Sequence, residues 1–136
     1  MKFLLDTNIC IFIIRKKPES VLKRLEEHAP GDIGISSVTL AELEYGVQKS
    51  LQVEQNGKAL HTFLLPLEIA PFGREAAGEY GKIRAKLEAK GIPIGPLDLM
   101  IGAHALSLGR VVVSNNVREF SRIGGLRVQD WTKKSS

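Results

Sequence analysis

At 136 residues, of which 43% are hydrophobic and 25% charged, the chain has the length and composition of one soluble globular domain that can bury a core. No apolar run approaches the roughly 20 residues that cross a bilayer, and Asp6 interrupts the first apolar run too early for a signal peptide. The net charge of +4 permits a polyanionic partner, and the single cysteine, Cys10, excludes an internal disulfide and a cysteine-based metal site, so we expect a cytoplasmic protein with no membrane segment.

The first predicted strand, residues 2–5, runs directly into three polar residues that begin with Asp6. A short continuous apolar run is typical of a strand that is buried on both faces of a parallel sheet. The apolar residues 9–14 fit either a short helix or a continued extended run, because several of them are β-branched. Pro18 then opens a predicted helix that extends to about Glu27.

A second short strand is predicted at residues 32–36. Ser37 or Thr39 is placed to cap the helix that follows, and Glu42 stands three residues after Thr39 in the register of a capping box. The polar residues 50–58 predict a loop or the start of another helix.

Helical spacing of apolar residues predicts two helices, over residues 60–67 and 74–90, with a brief strand near residues 68–70 between them. Pro96 suits the first turn of a further helix, which is expected to stop at Gly109 because glycine readily ends a helix.

The rest of the chain predicts a buried strand at residues 110–114, a polar turn or short helix at 115–120 and a last strand at 126–128. Trp131 is expected to pack the tail against the core, and residues 133–136 are expected to be disordered.

Strands therefore alternate with helices along the chain, which predicts an α/β fold with a mainly parallel sheet of four to five strands, in a single domain over residues 1–132. Three acids are expected at one edge of that sheet. Asp6 ends the first strand, Glu42 lies in the first turns of the helix after the second strand, and Asp98 lies in the first turn of the helix that Pro96 opens.

Three carboxylates at one edge would repel each other unless a cation binds there or their pKa values rise. All-oxygen ligation suits Mg²⁺ or Mn²⁺, and such a metal can activate water and stabilise charge on a phosphodiester. Each acid alone has a simpler explanation: Asp6 as a turn residue, Glu42 as part of a capping box, and Asp98 as a partner of the helix dipole. Only their joint placement favours a functional site.

Four sequence blocks resemble the PIN-domain ribonucleases and, among them, the VapC toxins of bacterial toxin–antitoxin pairs. These blocks span essentially the whole chain and lie, in order, at residues 4–8, 37–46, 94–105 and 112–120. The resemblance implies a three-layer fold and a Mg²⁺- or Mn²⁺-dependent endoribonuclease that acts as a toxin. It is closest to the branch that cuts initiator tRNA in the anticodon stem-loop, and it implies that substrate here.

The acids of the family correspond to Asp6, Glu42 and Asp98, and the resemblance implies that Asp6 and Asp98 hold the principal metal while Glu42 completes or orients its shell. The family's fourth acid falls on Asn116. Two alternatives stay open for this position: Asn116 ligates weakly or through water, or the nearby Glu119 substitutes in part.

The resemblance also implies contacts around the acids and partners for the whole protein. The hydroxyls of Thr7 and Ser114 would contact the site. Basic residues that flank the motifs would offset the repulsion of RNA: Arg15, Lys16, Lys17, Arg118 and Arg122. A VapB-type antitoxin would block the pocket and supply the only contact with DNA. The toxin would form homodimers and hetero-oligomers with the antitoxin, and exposed apolar residues near 11–14 and 60–64 are candidates for the dimer surface.

Two other functions stay open. A phosphatase of the haloacid-dehalogenase type would use Asp6 as its nucleophile, but the second Asp that such enzymes need two residues later is Asn8 in this chain. A non-enzymatic module that binds RNA or a partner protein would tolerate an Asn at position 116. Metal-dependent cleavage of RNA would separate these hypotheses.

Overall fold

The structure of the protein is a computed structural model that describes residues 1–133. The last part of the tail that was predicted to be disordered, residues 134–136, lies outside the described residues. The five strands of the structure are β1 (Phe3–Leu5), β2 (Ile33–Ser36), β3 (Glu68–Ala70), β4 (Val111–Val113) and β5 (Val128–Gln129).

All five strands belong to one sheet, in the order β3-β2-β1-β4-β5, and every neighbouring pair is parallel. The predicted α/β fold with a parallel central sheet is therefore confirmed. β5 begins two residues later than expected, since residues 126–127 have no regular secondary structure. β1 is the central strand and pairs with β2 on one side and β4 on the other.

In residues 1–133, seven α-helices connect and cover the strands: α1 (Thr7–Arg15), α2 (Glu19–Glu26), α3 (Ser37–Gln48), α4 (Val53–Leu64), α5 (Arg74–Ala89), α6 (Pro96–Leu108) and α7 (Val117–Phe120). Within the described residues, no helix is both long enough and apolar enough to cross a membrane.

Alternate residues of β1 divide the core between the two faces of the sheet, as the pleat of a strand requires. Leu5 packs with α1, α2 and α4 on one face, and Leu4 packs with α5, α6 and α7 on the other. Both side chains are fully buried. The result is three layers, and Trp131 closes the first core by packing against Phe3 and His28, as its predicted role required.

Residues 9–14 are helical, which decides between the two conformations that the sequence permitted. The carboxylate of Asp6 caps α1 by accepting a hydrogen bond from the backbone amide of Ile9 at 2.9 Å. Because the cap satisfies an amide that would otherwise lack a partner, it helps the β-branched segment to form a helix immediately after β1.

The predicted cap of α3 is wrong. Ser36 is the N-cap and accepts from the amide of Val38 at 3.1 Å, because the helix begins directly where β2 ends. Ser37 instead accepts from the amide of Phe72 at 3.0 Å, and Thr39 is buried inside the helix. Glu42 therefore takes no part in a capping box.

Gly34 provides a test of the sheet, because it lies between β1 and β3, paired with Leu4 and Glu68. A Cβ atom at this position would lie 2.9 Å from the carbonyl oxygen of Glu68 and would also clash with the sulfur of Met1. We expect Gly34→Ala to lower the free energy of unfolding by about 1–3 kcal/mol in urea denaturation. The control Gly31→Ala meets no atom within 4 Å and should change stability little. Equal stability of the two variants would contradict this packing.

Candidate active site

The carboxyl ends of β1, β2 and β4 and the first turn of α6 meet at one edge of the sheet. Asp6 follows β1, Ser36 ends β2, Ser114 follows β4 and Asp98 is the third residue of α6. In an open parallel sheet this edge is where ligands bind. The fold thus brings the predicted acids to the position that the sequence indicated.

Asp6 lies at the centre of this edge and is only 2% exposed. The pKa of Asp6 is raised from 3.8 to about 6, mainly by burial and to a smaller extent by the negative charges of Asp98 and Glu42. Hydrogen bonds from Ser114 and from the amide of Ile9 lower the pKa of Asp6 by less than burial raises it. Asp6 is therefore both a helix cap, as its simpler explanation proposed, and a member of a group of interacting carboxylates.

Glu42 is held at the site by a residue of another helix. The hydroxyl of Thr7, the first residue of α1, donates to Oε1 of Glu42 at 2.7 Å and lies 3.4 Å from the hydroxyl of Thr39. This contact fixes the second turn of α3 against the start of α1. It also explains how a half-buried glutamate is oriented without a capping box.

Asn116 connects two other acids of the site, Asp98 and Glu119. Its Nδ2 donates to Oδ2 of Asp98 at 3.1 Å and to Oε2 of Glu119 at 2.8 Å, while its backbone amide donates to Oγ of Ser114 at 2.8 Å. Burial raises the pKa of Asp98, the hydrogen bond from Asn116 lowers it, and the nearby Glu119 and Glu42 raise it. An amide at position 116 thus stabilises two carboxylates that a third carboxylate would repel.

All five predicted site residues therefore lie at this edge: Asp6, Glu42, Asp98, Asn116 and Glu119. Their roles in catalysis and in metal binding stay predictions. Among residues 1–133, no group of three or more His, Cys, Asp or Glu side chains is arranged so that it could hold a metal ion. The acids are close enough to raise the pKa values of Asp6 and Asp98, while hydrogen bonds to Thr7, Ile9 and Asn116 occupy several of their oxygens.

The five predicted basic residues differ in their surroundings. Arg15 lines a cleft of about 440 Å³ together with Glu42, and Arg118 is exposed on α7 beside Asn116 and Glu119. Lys16 and Lys17 are exposed at the end of α1.

Arg122 has a structural contact, because its Nη1 donates to the carbonyl oxygen of Pro93 in the loop before α6 at 2.8 Å. The sequence interpretation missed Lys49, which lines the same cleft as Glu42 one helical turn after Gly46. Its position seven residues after Glu42 on a helix was a signal that could have identified it.

The sequence interpretation also missed a buried hydrogen-bonded pair next to this edge of the sheet, His104 and Ser36. Nδ1 of His104 lies 2.8 Å from Oγ of Ser36, and burial lowers the pKa of His104. Because neutral His104 can accept at Nδ1 while Ser36 accepts from Val38, the hydroxyl of Ser36 is free to donate to the ring. This hydrogen bond joins α6, which carries Asp98, to the end of β2.

The profile of the PIN domain matches residues 3–126. The chain belongs to the PIN-domain family. Within it the chain belongs to the VapC proteins, because it is 48% identical over 132 residues to the tRNA(fMet)-specific endonuclease VapC of Shigella flexneri, a match that covers 97% of this chain and 99% of that protein.

Solved VapBC structures share the fold. The crystal structure of DNA-bound VapBC from Salmonella typhimurium matches with a TM-score of 0.91 and 49% identity, over 96% of this chain and 98% of that one. VapBC2 from Rickettsia felis, bound to a DNA fragment from their promoter, matches with a TM-score of 0.88 and 42% identity, over 96% and 99%. The family resemblance of the four sequence blocks is therefore confirmed, and membership in the PIN-domain family argues against the phosphatase hypothesis.

The raised pKa of Asp6 predicts how the stability of the metal-free protein depends on pH. Since the pKa of Asp6 rises from 3.8 unfolded to about 6 folded, the folded state favours the protonated acid. Ionisation of Asp6 does not lower the free energy of unfolding below pH 3.8. It lowers this free energy increasingly between pH 3.8 and pH 6, and by the full amount above that. Two pKa units correspond to about 3 kcal/mol. The free energy of unfolding of Asp6→Asn, relative to wild type, should therefore increase by up to that amount as the pH rises from 4 to 7.5.

The measurement is urea denaturation of both proteins in EDTA at the two pH values. Asn can also cap α1, so the substitution keeps the helix start. The control Glu54→Gln removes an exposed carboxylate from the start of α4 and should not reproduce the gain. A stability difference between Asp6→Asn and wild type that is the same at both pH values would contradict the raised pKa.

Proposed function

We propose that this chain is the ribonuclease toxin of a VapBC toxin–antitoxin pair and that it hydrolyses initiator tRNA with the help of Mg²⁺ or Mn²⁺. The observation that carries the proposal is the group of carboxylates around buried Asp6, in a chain 48% identical to a tRNA(fMet)-specific endonuclease. A second relative of that description, from Salmonella typhimurium, is 49% identical over 98% of its length.

Asp6 and Asp98 would hold the cation, and Glu42 and Glu119 would complete or orient its surroundings. The donor atoms are carboxylate oxygens, which Mg²⁺ and Mn²⁺ prefer, and the raised pKa values of Asp6 and Asp98 are those of acids that a cation would stabilise in the charged form. Mg²⁺ keeps several waters and binds through only one or two carboxylates, so it requires no closed group of three acids. When bound, the cation would supply an activated water and stabilise charge on the phosphodiester.

The residues around the acids would keep them in place during the reaction. Thr7 orients Glu42 through a 2.7 Å hydrogen bond, and Asn116 ties Asp98 to Glu119. Of the two alternatives for the family's fourth acid, this arrangement favours Glu119 as the carboxylate. Asn116 would act as the amide that positions Glu119, because its Nδ2 already donates to both neighbours.

The partner proposed for this chain is a VapB-type antitoxin, since the similar solved structures are VapBC complexes. The apolar residues near 11–14 and 60–64, expected to be exposed, are not: Leu60 is 3% exposed, and Ile11 and Ile14 are half-buried. Burial against the core explains the difference, and all three residues line the cleft that also contains Glu42. A segment of the antitoxin in this apolar cleft would reach the acids and block them. Homodimer formation stays a prediction.

Cleavage of purified tRNA tests the proposal. We expect the protein to cut initiator tRNA with Mg²⁺ or Mn²⁺ and to be inactive in EDTA. Asp6→Ala and Asp98→Asn should each lower the rate at least about 100-fold, because each change removes a carboxylate that would hold the cation. Sequencing the RNA ends gives the site of cleavage. Glu119→Gln and Asn116→Ala distinguish the alternatives for the fourth acid, since a direct ligand should cost more activity than a positioning amide.

A control variant and the salt dependence of binding show whether the effects are specific. Glu54→Gln should keep full activity, because its carboxylate is exposed on α4. Binding should weaken steeply with salt if RNA phosphates contact basic side chains. Cleavage that survives both EDTA and Asp6→Ala would contradict the proposed function, and binding without any cleavage would favour a non-enzymatic module.

A further inference from the structure

Tyr45 is an exposed aromatic residue on α3. Within residues 1–133, which contain all eight aromatic side chains of the protein, Tyr45 alone is exposed, with 66% of its surface accessible. The other seven are buried or half-buried. The fold therefore does not use the ring of Tyr45 for its core.

The position of Tyr45 places its ring beside the candidate active site. Tyr45 follows Glu42 by three residues on α3, and residues three apart on a helix are neighbours on one face, with Cβ atoms about 5–6 Å apart. Glu42 is fixed at the acidic edge by the 2.7 Å hydrogen bond from Thr7. The ring of Tyr45 thus lies one helical turn from an acid whose position the structure defines.

Lys49, the C-cap residue of α3, completes a row of three chemical groups along this helix. Its Nζ lies 5.2 Å from the centroid of the Tyr45 ring, a cation–π contact that holds the ammonium group near the ring. Lys49 also lines the cleft that contains Glu42. From the acidic edge outward, α3 and its C-cap residue therefore carry a carboxylate, an exposed aromatic ring and an ammonium group.

We propose that Tyr45 is a stacking platform for a nucleobase next to the phosphodiester that is cut, with Lys49 contacting an adjacent phosphate. The proposal rests on the proposed ribonuclease function. Single-stranded RNA loops present unstacked bases, which proteins bind by stacking them on tyrosine rings. A base held one helical turn from Glu42 would place the neighbouring phosphate at the acids. Tyr45 would thus be a positioning residue, not a catalytic one.

The surroundings of Tyr45 favour RNA over a protein partner. Charged groups flank the ring on both sides along α3, at Glu42 and Lys49, whereas the centres of protein interfaces are depleted of charge. The exposed Leu51 lies beyond the end of α3, and it provides a matched control because it is a large apolar side chain that is fully exposed. A protein partner that covers the end of α3 would lose contacts in variants of both residues, whereas loss of base stacking should affect only variants of Tyr45.

The experiment measures steady-state cleavage of the anticodon stem-loop RNA of initiator tRNA. Tyr45→Leu should raise KM roughly 5- to 150-fold, the range expected for the loss of one stacked base, and should change kcat little. Tyr45→Phe keeps the ring and should resemble wild type, as should Leu51→Ala. A 2-aminopurine base placed beside the cut should be quenched on binding of wild type in EDTA, and Tyr45→Leu should abolish the quenching.

The possible failures are distinguishable. An active wild type with the same KM and the same quenching in Tyr45→Leu would overturn the stacking role alone. Loss of self-association or of antitoxin binding in Tyr45→Leu and Leu51→Ala, with unchanged RNA kinetics, would show a protein-binding surface and would also overturn it. A wild type that neither binds nor cleaves RNA would overturn the proposed function together with this inference.

Discussion

The burial of one carboxylate, Asp6, is the constraint on which the rest of the site depends. β1 is central in the sheet and buried on both faces, so the residue that ends it is only 2% exposed. That burial raises the pKa of Asp6 to about 6. The cap that Asp6 provides to α1 offsets a part of this cost, but the neighbouring negative charges of Asp98 and Glu42 add to it. An acid in such a position is stabilised by a cation, which links the fold directly to the proposed chemistry.

Uncharged polar side chains hold the acids in this unfavourable arrangement. Thr7 donates to Glu42, Asn116 donates to Asp98 and Glu119, and the pair formed by Ser36 and His104 ties α6 to β2. Apart from the contact between Asn116 and Glu119, which are close in sequence, these contacts join elements that are distant in the chain. The acids therefore keep defined positions through the packing of the whole domain, and the loss of one contact would disturb a single acid before it disturbed the fold.

The sequence predicted the placement of the acids because that placement follows from local rules. The apolar run that ends at Asp6 and the proline that opens α6 before Asp98 both indicate where an element starts or stops. The cap of α3 was predicted wrongly, since the strand was expected to reach Ser36 but nothing local shows that the helix begins at the next residue without a loop. The hydrogen bond between Ser36 and His104 could not be predicted, because it joins residues 68 positions apart and depends on tertiary packing. The exposure of Tyr45 is also a property of the folded surface that no local pattern reveals.

A divalent cation should offset the free-energy cost of burying the charge of Asp6, and proton release on metal binding measures this effect. Mn²⁺ titration calorimetry in two buffers of different ionisation enthalpy measures the number of protons released per ion. At pH 6, near the pKa of Asp6, wild type should release roughly half a proton from this residue, and the release should fall toward zero at pH 8. Asp6→Asn should lose that release. Binding of Mn²⁺ without proton release at pH 6, or with the same release in Asp6→Asn, would contradict the claim.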